Sequence, residues 1–223
     1  NHTVVSIFVN PAQFAPYEDF DLYPKTATQD LNHLKSKKVD AVFMPSIDEM
    51  YQTSKRDYFF KTALAYKLEG KSRPSFFKGV TTVVHKLFLI VRPTHAVFGQ
   101  KDAQQLLIIK KMIKKNQYGI TLIEAPTIRT AEGLALSSRN SYLTGQDQNT
   151  ANNISVGLQK MKEALEGGEL RPSILKLLFE NYLKTFPDLK IDYISISCKK
   201  TLEEIEGVIN ADILVSAAVF LRG

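Results

Sequence analysis

Apolar positions recur along this chain in two rhythms, and the changes of rhythm mark its elements. Val4-Val5-Ser6-Ile7-Phe8-Val9 is β-branched and apolar on both faces, which predicts a strand covered on both sides, as in a parallel sheet. Pro11 ends regular pairing just beyond it. From Thr28, Leu31 and Leu34 fall at helical spacing, with Asp30 early and Lys35, Lys37 and Lys38 late, so the charges complement the helix dipole. Residues 40–45 return as a strand, and strand, helix, strand implies a right-handed parallel crossover. Helices are predicted over 79–91 and 103–115, and strands over 95–98 and 120–124. The grammar then changes. A helix over 146–166 ends at Gly167-Gly168, a second spans 172–185, and strands follow over 189–196 and 212–221. The expected fold class is α/β, a doubly wound parallel sheet over residues 1–143, followed by a smaller C-terminal α+β unit over 144–223. The polar stretch 52–57 carries no readable pattern, and the chain has no internal repeat.

Composition narrows the class of partner. With 44% apolar and 23% charged residues among 223, the chain has the make-up of a soluble globular protein. Its longest apolar run, 213–221, is far below the ~20 residues of a membrane helix, so no membrane partner is expected. The single Cys198 excludes an intramolecular disulfide and a cysteine-based zinc site, and it fits a reducing compartment, the cytoplasm. His33, His85 and His95 lie apart in helical and strand patterns without metal-ligand spacing, so no metal ligands are named. The net charge of +6 draws on short lysine clusters, Lys110-Lys111 and Lys114-Lys115 among them, that are not interleaved with aromatics. That pattern suits small polyanions better than nucleic acid.

Two stretches carry the candidate chemistry. Gly133-Leu134-Ala135-Leu136-Ser137-Ser138-Arg139-Asn140 sets two hydroxyls and a guanidinium behind an apolar run, donors suited to phosphate oxygens. Phe98-Gly99-Gln100-Lys101-Asp102 follows a short strand and opens a helix, where amides and Lys101 favour an anion. Each alone also reads as a solvated turn or a capped helix start. Asn10 and Gln13 stand at the carboxyl end of the first strand, where open α/β sheets bind ligands, and read equally as turn formers. Glu69 and Arg73, in a Gly/Pro-punctuated loop, read as site groups or as an exposed pair.

In order, Asn10-Pro11-x-Gln13-Phe14, Glu69-Gly70-x-x-Arg73-Pro74, Phe98-Gly99-x-Lys101-Asp102-x-x-Gln105 and the 133–140 stretch resemble the pantothenate synthetase family over nearly the whole chain. The resemblance implies a Rossmann-like domain of the nucleotidyltransferase superfamily. It also implies ATP-dependent condensation of pantoate with β-alanine through a pantoyl adenylate, with AMP and pyrophosphate released. Catalysis would then rest on positioning and fixed positive charge. By resemblance Lys101, Ser137, Ser138 and Arg139 contact the phosphates, and Phe98, Gly99, Asp102, Ile128 and Leu136 complete the ATP site. Asn10, Gln13 and Gln105 hold pantoate through neutral amides, and Tyr23, Glu69 and Arg73 border the substrates. Mg²⁺ accompanies the triphosphate, and a homodimer is implied.

The chain departs from the family pattern in several places. No Met-bearing loop or His-x-Gly-His helix start precedes Val4, so the first strand and helix of the larger domain are expected to be missing, and a chain beginning at Asn1 is expected to be nearly inactive. Arg222-Gly223 stops short of the family's ending. Phe76 stands where many members have His, removing a donor, and Gln100 where many have Glu; fungal members are similar at both places. Another nucleotidyltransferase acting on a different acid, or a basic nucleic-acid-binding module, are the alternatives.

Overall fold

A computed structural model describes residues 2–52 and 58–222 and gathers their apolar side chains into two cores. Most of the unreadable stretch, 53–57, lies outside the described residues. In the larger unit β1 (Val4–Ser6) pairs in parallel with β2 (Ala41–Phe43), and α1 (Ala27–Ser36) crosses between them. The apolar run continues beyond this ladder because β2 ends at Phe43, ahead of Pro45, leaving Ile7 one last bond to the Phe43 carbonyl at 2.9 Å. Two short helices, α2 (Ile47–Gln52) and α3 (Glu69–Ser72), escaped the pattern reading because neither is long enough to show a period.

Helix α4 (Phe76–Val91) is the spine of the larger core. Phe77, Val80, Val83, Val84 and Phe88 are buried along it and meet Ile108, Ile109 and Met112 of α5 (Ala103–Asn116). Around α5, β3 (His95–Gly99) pairs in parallel with β4 (Thr121–Ala125) over five residues. Both pairs show the predicted parallel sense, but among the described residues they are not hydrogen-bonded to each other. Cover on both faces is likewise incomplete: Val97 of β3 and Ile123 of β4 are 63% and 45% exposed.

The smaller unit packs α6 (Gly145–Glu166) and α7 (Pro172–Leu183) on the antiparallel pair β5 (Leu189–Cys198) and β6 (Ile213–Leu221). Thr144 and Asp147 form a reciprocal capping box that starts α6, and Gly168 at φ +98° allows its exit turn. Phe179, fully buried, lies on Gly157, where a Cβ would meet its ring at 2.9 Å. The units meet beside α3. Leu202 enters the larger core, Lys67 pairs with Glu203 at 3.6 Å, and Ser72 donates to Asp192 at 3.1 Å.

Candidate active site

The segment after β1 folds into one 3₁₀ turn, residues 11–13, because Pro11 supplies the fixed φ of a helical first position and Asn10 caps it through Ala12 N–H at 3.2 Å. Asn10 is 4% exposed and fully engaged: its amide donates to Gln13 Oε1 at 2.8 Å and to the Gly79 carbonyl at 3.1 Å, and its oxygen also accepts the Tyr51 hydroxyl. The turn seats directly on α4, where a Cβ on Gly79 would fall inside the backbone of Ala12. Asn10 therefore faces protein on every side, and it is Gln13 whose Nε2 has no protein acceptor among the described residues.

A matching division of labour occurs at the start of α5. Gln104, 8% exposed, donates to the carbonyls of Leu64 at 2.7 Å and Lys67 at 2.6 Å and accepts from Glu69 N–H at 3.1 Å. Its neighbour Gln105 is half-buried and has no protein partner among the described residues. Lys101 and Asp102 lie on the short 3₁₀ turn, residues 100–102, that leads into this helix; both are exposed, with Lys101 Nζ 3.6 Å from Asp102 Oδ1.

Arg73 belongs to the frame. Its Nε donates to Glu18 Oε1 at 2.7 Å, its Nη1 to Glu69 Oε1 at 3.2 Å and its Nη2 to the Gln13 carbonyl at 2.9 Å, while the guanidinium lies 4.1 Å above the Phe76 ring. Phe76, read in the sequence as a lost donor, is the platform for that cation. Burial by itself lowers the pKa of Arg73, but Glu18 and Glu69 outweigh it and the pKa is raised.

The last motif is a hairpin with a 3₁₀ turn. Thr130 N–H donates to Leu134 at 2.8 Å around Gly133, whose φ of +100° suits glycine, and Leu136 N–H donates to Ile128 at 2.9 Å. Ile128 and Leu136 thus stand opposite one another, 61% and 53% exposed, as an open apolar pair. Ser137 caps the 3₁₀ turn, residues 138–142, through Arg139 N–H at 3.3 Å, and Ser138 is exposed. Arg139 forks onto Asp19, Nε to Oδ2 at 2.9 Å and Nη2 to Oδ1 at 2.8 Å, and lies 5.1 Å from the Tyr23 ring. Its Nη1 has no hydrogen-bond partner among the described residues.

Glu18 and Asp19 therefore stitch the site together. Consecutive in the chain, they hold Arg73 and Arg139, while Phe14, Phe20 and Tyr23 pack beneath as a cluster of edge-on rings. Hydrogen bonds link Gln13 to Arg73, Arg73 to Glu69, the Glu69 amide to Gln104, and Arg73 through Glu18 and Asp19 to Arg139. All four motifs are joined in this way. Residue type alone assigns no role to Gln104, Glu18 or Asp19, although the doublets Gln104-Gln105 and Glu18-Asp19 are visible signals. Tyr193 of the smaller unit carries no sequence signal of its own. Burial, then the nearby charges of Glu69 and Asp192, push its hydroxyl pKa up to about 12.

The hydrogen bond from Arg139 holds the Asp19 carboxyl below its ordinary 3.8, so the unfolded chain binds the extra proton between the two values. The stabilisation is complete above the ordinary value and lost as pH falls through the lowered one. Wild type and Asp19→Asn are thus expected to differ in urea midpoint near pH ~6, and the difference is expected to shrink as pH falls below the ordinary 3.8. A constant difference across that window would contradict the assignment.

A profile of the pantoate-beta-alanine ligase family matches residues 1–223. The pantothenate synthetase of Thermosipho africanus is 46% identical over 219 residues, covering 98% of this chain and 78% of that protein. That of Fervidobacterium nodosum is 44% identical over 218 residues, with 98% and 77% covered. Among solved structures, pantothenate synthetase from Thermus thermophilus superposes with a TM-score of 0.91 at 34% identity, over 99% of this chain and 82% of that one. The ligase from Francisella tularensis, complexed with βγ ATP and β-alanine, gives 0.75 at 34% identity, over 100% and 80%. These relatives are bacterial, and the fungal likeness expected from Phe76 and Gln100 finds no support among them.

Proposed function

Because the chain belongs to the pantoate-beta-alanine ligase family and catalyses ATP-dependent joining of pantoate to β-alanine, we propose that the stitched motifs form its active site, with the triphosphate at Lys101, Ser137, Ser138 and Arg139 and pantoate between Gln13 and Gln105. The observation that carries this reading is the paired use of carboxamides. In each of two motifs one amide side chain, Asn10 or Gln104, is consumed by the protein, and its companion, Gln13 or Gln105, is left with N–H donors unpaired. Neutral donors of this kind hold a carboxylate and hydroxyls without removing the negative charge that makes the carboxylate a nucleophile.

In the first stage a pantoate carboxylate oxygen attacks the α-phosphorus of ATP, and the bond to the bridging oxygen of pyrophosphate breaks. The charge that builds on the leaving group meets Lys101, the Ser137 and Ser138 hydroxyls and the unpaired Nη1 of Arg139, whose guanidinium Asp19 already holds in place. In the second stage the β-alanine amine attacks the acyl carbon, AMP leaves with the carboxylate oxygen, and the amine loses a proton. The Ile128 and Leu136 pair offers the adenine an apolar surface, and Phe98, Gly99 and Asp102 complete the nucleotide site on the ribose side. Asn10 and Arg73 act here through Gln13, and Glu69 and Tyr23 border the substrates.

No group of three or more His, Cys, Asp or Glu among the described residues is disposed to hold a metal. Mg²⁺ would enter on the triphosphate with most of its shell as water. A boundary between the units near Leu143, a homodimer and a cytoplasmic location belong to the same proposal. The exposed Val97 and Ile123 and the lone Cys198 support the last two, and no described helix is long and apolar enough to cross a membrane.

Gln13→Leu and Gln105→Leu are each expected to raise KM for pantoate about ten- to a hundredfold, the cost of a hydrogen bond to a charged group, and to leave KM for ATP within a few-fold. Pyrophosphate release at varied pantoate reads this out. Equal effects on both substrates would sink the placement.

A further inference from the structure

We propose that Gln104 is a positioning residue of the reaction, setting the distance between Gln105 and Gln13 by clamping residues 64–69 to the start of α5; the proposal rests on the reading that those two amides hold pantoate. Gln104 and Gln105 are consecutive on a helix, so their side chains leave it about 100° apart. One enters the protein and the other remains available to a ligand. The buried member spends both amide protons on the Leu64 and Lys67 carbonyls and its oxygen on the Glu69 amide, three bonds within a span of six residues.

That span cannot hold its shape alone. Leu68 adopts φ +42° and ψ −118°, a region where a branched side chain is strained and glycine is the natural occupant. The helix that follows it, α3, is four residues long, and Gly70 packs so tightly on the Ala65 carbonyl that a Cβ would overlap it. A strained turn persists where its surroundings over-determine it, and the three Gln104 bonds provide that constraint. Just beyond that span, at the end of α3, Arg73 reaches the Gln13 carbonyl at 2.9 Å. Gln105 is thus covalently next to one end of a rigid bracket, and Gln13 is hydrogen-bonded to the other. Loosening the bracket at residues 64–69 moves the two amides relative to each other, while Lys101 stays on the turn at residues 100–102 and Arg139 keeps both of its bonds to Asp19.

The test is calorimetric binding of pantoate and, separately, of ATP to the full chain and to Gln104→Met, which keeps length and volume and removes the three polar contacts. A displacement of about 1 Å costs on the order of a hundredfold where geometry is matched. The expected result is a Kd for pantoate raised at least about tenfold with the Kd for ATP changed less than about threefold. Equal changes for both ligands, or none for pantoate, overturn the proposal. Should Gln104→Met not fold, Gln104→Glu carries the test. Its buried carboxyl regains a donor on protonation, so the variant's pantoate affinity relative to wild type should recover as pH falls, and a flat ratio overturns the proposal. Wild type that binds ATP and no pantoate would remove the underlying reading, and the proposal with it, a result distinct from an insensitive variant.

Discussion

Arg139→Met is expected to lower kcat/KM for ATP by about 10²–10³-fold, the range seen when one fixed donor to developing charge is removed from a transition state. In the free protein Arg139 is held by Asp19 through Nε and Nη2 and lies beside the Tyr23 and Phe14 rings, so its place is set before ATP arrives. Arg139→Lys should recover little of the loss. An ammonium cannot keep the two-point contact with Asp19 and still offer a directed donor to phosphate. Pantoate-dependent pyrophosphate release at varied ATP measures both variants, with pantoate binding by calorimetry as the control expected to stay near wild type. A loss below about tenfold in Arg139→Met would remove this arginine from the phosphate site.

Gly79→Ala is expected to disable the pantoate end of the site from beneath. The added methyl would enter the backbone of Ala12, and neither α4 nor the turn at residues 11–13 can yield without breaking the Asn10 contacts to Gly79 and Gln13. Overpacking of this kind costs about 1–3 kcal/mol of stability. The displaced turn carries Gln13 with it, so KM for pantoate should rise about a hundredfold, out of proportion to the stability loss. Urea denaturation and steady-state kinetics on the same preparation separate the two effects. A variant that is destabilised yet keeps its pantoate KM would show that this close packing serves the fold alone.

Much of the fold was legible because its long elements carry clean periods. Helices α4 to α7 and strands β3 to β6 were readable to within about three residues from apolar spacing and from Gly167-Gly168. The two short helices and the end of β1 were not, since four to six residues cannot show a helical repeat and a strand ends where its partner does. The candidate site divides in the same way. Phosphate-seeking chemistry is written in residue types, so Lys101, Ser137, Ser138 and Arg139 stand out in a bare sequence. Which amide of a pair faces a ligand is decided by burial and by distant carbonyls. Asn10 was grouped with Gln13 and Gln105 although the fold engages it on every side, and Gln104 went unread beside Gln105. The acidic, aromatic stretch from Glu18 reads in sequence either as a loop over a site or as a simple surface connection, because the arginines that Glu18 and Asp19 hold lie 55 and 120 residues away along the chain.

The most direct test of a single cleft is a crystal structure of the protein with pantoate and a non-hydrolysable ATP analogue. The account predicts the pantoate carboxylate and hydroxyls between the Gln13 and Gln105 side chains, with the phosphates against Lys101, Ser137, Ser138 and Arg139. Pantoate bound away from both amides, or phosphates that leave Lys101 and Arg139 on separate faces of the molecule, would contradict it.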